Sequence, residues 1–164
     1  MGSKTISVVK DISVHRMLRL DATDNLLINS FESLWKCHAM LQARINRSSD
    51  KHDVRIHLRP TLFETDLGNY VEYAEDDGLK LMLWSDDDTP SGIKASANVS
   101  LVNIPMTPGA CREGFLVITT STWGRVLSAW LDDDGNLEGV LVTNPRTVAA
   151  IAAHLDSILQ AAAV

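Results

Sequence analysis

Cysteine is scarce. Cys37 and Cys111 are the only two, neither belongs to a C-x-x-C pair, and the chain opens on the polar Gly2-Ser3-Lys4-Thr5 instead of an apolar signal core. Together these lead us to expect a reducing, cytoplasmic setting. No apolar run approaches the length needed to cross a bilayer, so no membrane partner is expected. Basic residues are also in the minority: 15 Lys and Arg stand against 21 Asp and Glu, a formal charge of −6. That balance disfavours non-specific attraction to phosphate backbones and anionic lipid. Neither G-x-G-x-x-G nor a P-loop occurs, which removes the common phosphate cradles, and the absence of a G-x-S-x-G elbow argues against an α/β serine hydrolase. No helix-turn-helix is visible, so no direct nucleic-acid partner is expected. Aromatics are few, at 5%.

What remains is the composition of an ordinary globular chain, 45% hydrophobic and 22% charged, long enough at 164 residues to bury one core as a single domain. The clearest structural stretch is its end. Residues 115–120 and 124–131 read as strands, Asp134-Gly135-Asn136 suits a tight hairpin, and residues 137–143 return as a strand. Asn144 and Pro145 then supply an N-cap acceptor and a pre-set φ for a closing helix whose stripe is Val148, Ile151, Ala152, Leu155, Ile158 and Leu159. Its alanine-lined flank suggests a homodimer contact.

Earlier in the chain, Thr5 to Val9 and Met17 to Leu20 read as N-terminal strands within residues 1–22. From about Asp24, Leu27, Phe31, Leu34, Trp35, His38, Leu41 and Ile45 recur at spacings of three and four and predict the first helix, ending near Asn46. Residues 54–58 alternate as a short strand until Pro60. A second helix, capped by Thr65 or Asp66 and closed by Gly78, leads into a strand over residues 79–84. Those two strands are expected to be parallel neighbours with the helix crossing between them. Residues 85–98 read as a mobile surface loop and Val99 to Ile104 as another strand. The fold class expected is therefore α/β: one domain, a mixed sheet with helices packed on it, and a C-terminal β-hairpin followed by a helix.

Each cluster that invites a chemical role has a plainer one beside it. Cys37, His38, His52 and His57 suggest zinc, but Cys37 and His38 are adjacent on a helix and point about 100° apart, so no metal site is expected. Asp86-Asp87-Asp88 and the run from Asp132 to Asn136 lack the spaced glutamate of a calcium loop and suit solvated turns. Ser121 and Thr122 have no elbow to activate them, and no catalytic residue or cofactor is assigned. Arg55, His57 and Arg59 lie near the C-terminal end of an inner strand, where open α/β sheets bind ligands. They are candidate ligand-binding residues, the plainer alternative being the solvated face of an edge strand. Trp84 and Trp123 stand at strand-loop borders and are candidates for a ligand-pocket wall or a dimer contact, against simple core packing.

The segments Asp53-Val54-Arg55-Ile56-His57-Leu58, Asp77-Gly78-Leu79-Lys80-Leu81-Met82-Leu83 and Gly139-Val140-Leu141-Val142-Thr143-Asn144-Pro145 carry a resemblance. Their order resembles a half-unit of the phospholipase D-like fold and, more narrowly, the effector-sensing halves of TrmB-type bacterial regulators. The resemblance implies a sensing role without phosphodiester chemistry, because the family's H-x-K is missing. The five histidines are followed two residues on by Met17, Met40, Val54, Arg59 and Asp156. The tail from Gly124 to Pro145 is also similar to the ends of small bacterial domains found beside helix-turn-helix regulators. The function expected is a non-enzymatic regulatory or sensing module that binds a small-molecule ligand or a regulatory protein partner. A small hydrolase or transferase with an unrecognised site, and a self-associating structural protein, are the alternatives.

Overall fold

The computed structural model describes residues 4–7, 13–19, 26–63, 67–85, 93–104 and 113–162. In chain order the elements are β1 (Lys4–Ser7), α1 (Val14–Arg19), β2 (Leu26–Ile28), α2 (Phe31–Asn46), β3 (Arg55–Arg59), α3 (Leu67–Asp77), β4 (Lys80–Ser85), β5 (Val99–Asn103), β6 (Glu113–Thr119), β7 (Gly124–Leu131), β8 (Leu137–Val142) and α4 (Pro145–Ala162). The strands form one eight-stranded mixed sheet in the order β1-β5-β4-β3-β6-β7-β8-β2. Its first four strands run parallel to one another, and antiparallel pairing begins where β3 meets β6. The fold is α/β, as the sequence pattern indicates.

The period-two side-chain alternation of the strands divides the core in two. Ile56 and Leu58 of β3, Leu81 and Leu83 of β4, and Leu116 and Ile118 of β6 meet Leu34, Leu41 and Ile45 of α2 and Tyr70 and Ala74 of α3. On the opposite face Met82, Trp84, Phe115, Val117 and Val126 meet Val14 and Leu18 of α1 and Val148, Ile151, Leu155 and Leu159 of α4. Both faces are covered, which is why the inner strands read as nearly continuous apolar runs. No helix of the described residues is long and apolar enough to cross a membrane.

Local chemistry accounts for the boundaries. Ser30 caps α2 by accepting the Ser33 amide at 3.2 Å, and Gly78 ends α3 at φ +85°, where a side chain would be strained. β3 and β4 pair in parallel with His57 opposite Met82, and α3 lies between them in the chain, as expected from the sequence. The expected cap at Thr65 or Asp66 falls outside the described residues. In the β7–β8 hairpin Gly135 takes φ +81°, and the Asp132 carboxylate accepts the Asp134 and Asn136 amides at 3.0 and 2.8 Å. The acidic run is a self-capped turn. Asn144 caps α4 through the Arg146 amide at 2.9 Å, with Pro145 as its first residue.

Three sequence expectations are corrected. Met17 to Leu20 is not a strand: Met17, Leu18 and Arg19 belong to α1, because the segment has no β-branched residue and Val14 and Leu18 sit one turn apart on its buried side. The first helix begins at Phe31, not near Asp24. Leu27 belongs to β2, pairs with Val140 of β8 and is 79% exposed, so its four-residue spacing from Phe31 is coincidental. Finally, β3 is not an edge strand; it lies between β4 and β6, and His57 and Arg59 are buried under the α1 and α4 layer. Of the expected loop over 85–98, residues 93–98 carry no regular element and 86–92 lie outside the described residues, as do Asp86 to Asp88 and Cys111.

Candidate functional site

β3 and β4 bring three of the sequence candidates together. Trp84 is fully buried, and its indole N–H donates to His57 Nδ1 at 3.0 Å. An indole has only a donor, so Nδ1 must present its lone pair and the neutral ring carries its proton on Nε2. That proton is donated to Asp156 Oδ1 at 2.9 Å, which also accepts from Arg55 Nη2 at 3.0 Å. Burial pushes the His57 pKa down, against an opposing pull from Asp156. The hydrogen bond from His57 holds the Asp156 carboxyl below its usual range, against the desolvation that would raise it. The result is a Trp84–His57–Asp156–Arg55 chain that ties β3 and β4 to α4. With Nδ1 occupied by the indole, the ring has no free lone pair to take a substrate proton.

Arg59 goes elsewhere. It faces Glu113 of β6 at 3.5 Å, with both side chains buried. Glu113 also accepts the His15 amide at 2.6 Å, and His15 begins a second polar line that pattern reading missed entirely. His15 Nδ1 is 3.1 Å from Ser128 Oγ and Nε2 is 3.2 Å from Glu138 Oε2, while its ring stacks on Trp130 at 5.3 Å. The composition is that of a serine–histidine–carboxylate relay. Ser128, however, is 0% exposed beneath α1, so its hydroxyl has no face to offer a substrate.

Trp123 stands apart from the other candidates, in the β6–β7 turn. Thr120 Oγ1 accepts the Thr122 and Trp123 amides at 3.2 and 2.9 Å and donates to the Trp123 carbonyl at 2.8 Å. Asp53, just before β3, anchors the same turn by accepting the Ser121 amide and hydroxyl, the latter at 2.7 Å; these bonds lower its pKa. The half-buried indole is thereby held at the mouth of an open cleft between α2, β7 and β8. Arg44 of α2 lies over the ring, 4.1 Å from its centre.

The cleft has two lobes that share Arg44, Trp123, Arg125 and Thr143. One, of about 690 Å³, has an apolar wall of Met40, Leu41 and Leu141 beside Arg47 and Ser48. The other, of about 510 Å³, is lined by the hydroxyl-bearing run from Thr119 to Thr122 and by the first turn of α4. Among the described residues no acidic side chain lines either lobe, and none of Arg44, Arg47 and Arg125 pairs with a carboxylate. Partial burial first, and then the nearby charge of Arg44, push the Arg125 pKa down.

Arginines near a helix C-terminus have an ordinary explanation, since the macrodipole favours cations there by about 0.3–1 kcal/mol. In α2 that position is already served by Lys51, whose ammonium reaches the carbonyls of Asn46 and Ser48 at 3.2 and 3.3 Å. Nor does the dipole account for Arg125, which comes from β7. The cleft is thus a concentration of positive charge in a chain of net charge −6. Of the five candidate ligand-binding residues only Trp123 lines it. Arg44, Arg47 and Arg125 escaped notice because Arg125 lies far in sequence from the other two and the three share no motif; the one available signal was the pair Arg44 and Arg47, three apart at the end of an amphipathic helix.

Compared with known proteins, the chain matches no family model, no curated protein and no solved structure.

Proposed function

We propose that the chain is a non-enzymatic sensing module that takes a small anionic ligand into the Arg44–Trp123 cleft. The observation that carries this is the set of three arginines, Arg44 and Arg47 at the end of α2 and Arg125 of β7, on one cleft that no acidic side chain lines among the described residues. Guanidiniums without a counterion repel one another, and an anion that enters relieves the repulsion and gains charge-assisted hydrogen bonds. The lobe volumes suit a small molecule, within the roughly 300–1,000 Å³ of ordinary ligand sites. Two further features support a non-enzymatic role: His57 has no lone pair to spare, and Ser128 is sealed. The resemblance to effector-sensing domains implies a role of the same class.

A regulatory protein partner is the second reading, supported by exposed apolar side chains next to the cleft. Met40, 53% exposed, lines it; Leu26, 57% exposed, pairs with Leu141, which lines it too; and Leu27 beside it is 79% exposed. The experiment that decides is thermal unfolding against a panel of small carboxylates, phosphate esters and sulfates. At least one anion is expected to raise the melting temperature in a saturable way, and an Arg44→Gln/Arg47→Gln double variant is expected to lose that response. A panel without effect on the wild type, or an equal effect on the double variant, would remove the small-anion function.

A further inference from the structure

The two lobes differ in chemistry, and the difference specifies the anion. The larger lobe offers Met40, Leu41 and Leu141 as a continuous apolar wall, with the Trp123 indole on another side. The smaller is lined by the run from Thr119 to Thr122 and the first turn of α4; the Thr120 and Ser121 hydroxyls already donate to the Trp123 carbonyl and to Asp53, so the turn's hydroxyl to offer is that of Thr122. Arg44 and Arg125 belong to both, so they stand where the lobes join. A carboxylate carries one charge, which a single guanidinium neutralises. A phosphate monoester carries about −1.5 to −2 charges near neutral pH and three terminal oxygens. Of the two, only the second has the charge to neutralise both guanidiniums, and its third terminal oxygen is left to accept the Thr122 hydroxyl.

Resting on the small-anion function above, we infer that the ligand is a phosphate monoester of a flat or apolar body. The phosphoryl group sits at the junction between Arg44 and Arg125, and the body lies in the larger lobe along Met40, Leu41 and Leu141. Arg44 is then a positioning group with two partners: the Trp123 ring when the cleft is empty, and the phosphoryl oxygens when it is filled. Moving the guanidinium from the ring to the phosphate uncovers the indole face for the body of the ligand.

Calorimetric titration of the full chain with phenyl phosphate, benzoate and inorganic phosphate tests the assignment. Phenyl phosphate is expected to bind at least roughly tenfold more tightly than either of the others. Arg125→Gln and Arg44→Gln are each expected to abolish that preference while retaining the wild-type circular dichroism spectrum. If a variant loses its fold, Arg47→Gln, on an exposed position, takes its place and is expected to weaken all three probes together. Benzoate binding as tightly as phenyl phosphate overturns the phosphate assignment and leaves the small-anion function standing. Inorganic phosphate binding as tightly as phenyl phosphate overturns the apolar body. Failure of all three probes, when another anion of the panel still raises the melting temperature, overturns this inference alone. Failure of every anion overturns both.

Discussion

At the scale of single residues, the buried histidines His15, His38 and His57 are fixed by donors and acceptors that sequence spacing does not display. His38, on the buried face of α2, lies 2.9 Å from the Tyr70 hydroxyl and stacks on Phe63 at 5.3 Å. Burial lowers its pKa from 6.5 to about 4, and burial likewise drives the Tyr70 pKa upward. A base whose folded pKa lies below its unfolded value takes up its proton more readily when unfolded. His38 therefore contributes its full share of stability above pH 6.5 and loses it as pH falls towards about 4. The shift corresponds to a loss on the order of 3 kcal/mol across that window. Urea midpoints measured at intervals through it are expected to fall for the wild type. In His38→Gln, which keeps a hydrogen-bonding side chain but cannot titrate, the fall is expected to be shallower. Because the His57 pKa is lowered as well, a residual slope of the same sign is expected in that variant. An unchanged slope would contradict the burial of His38.

At the scale of elements, periodicity and punctuation were sufficient wherever the signal was local. The β7–β8 hairpin, the N-cap of α4, the end of α3 at Gly78 and the parallel pairing of β3 with β4 were all legible, because each rests on residues adjacent in the chain or on one helix face. What escaped was set by distant partners. β2 exists because Leu26–Ile28 pairs with β8, more than a hundred residues on, and α1 because Val14 and Leu18 reach the core formed by β6, β7 and α4. α4 gives the sharpest element-scale test. Val148, Ile151, Ala152, Leu155 and Leu159 are its buried stripe, and Leu155 is 0% exposed within it. Replacing Leu155 by alanine removes apolar contacts and leaves a cavity, at a cost of about 2–5 kcal/mol. Chemical denaturation is expected to show this as a lowered midpoint with an unchanged slope; a midpoint equal to that of the wild type would contradict the packing of α4 on the sheet.

At the scale of the whole molecule, the polar side chains form two kinds of constellation. The His57 and His15 lines run from buried rings between the sheet and α1 or α4 out to the exposed Arg55 and Glu138, are joined to neighbours, and hold layers together; Arg55 and Asp156 also line a cavity of about 730 Å³. The arginine cleft is open, positively charged and without carboxylate partners among the described residues. Sequence reading favoured Arg55, His57 and Arg59 because alternation on one strand is visible in a single segment. Arg44, Arg47 and Arg125 become neighbours only when α2 packs beside β7. Trp123 was legible through its place at a strand border, and it supplies the most direct measurement. In the ¹⁵N-labelled chain, Trp35, Trp84, Trp123 and Trp130 each carry an indole N–H, and Trp123→Phe identifies the resonance of interest. On titration with the anion that raises the melting temperature, the Trp123 indole and the backbone amides from Thr120 to Arg125 are expected to shift saturably, with the buried Trp84 indole unmoved. A shift of Trp84 with Trp123 unmoved would place the ligand at the His57 side of the sheet and contradict the cleft as the binding site.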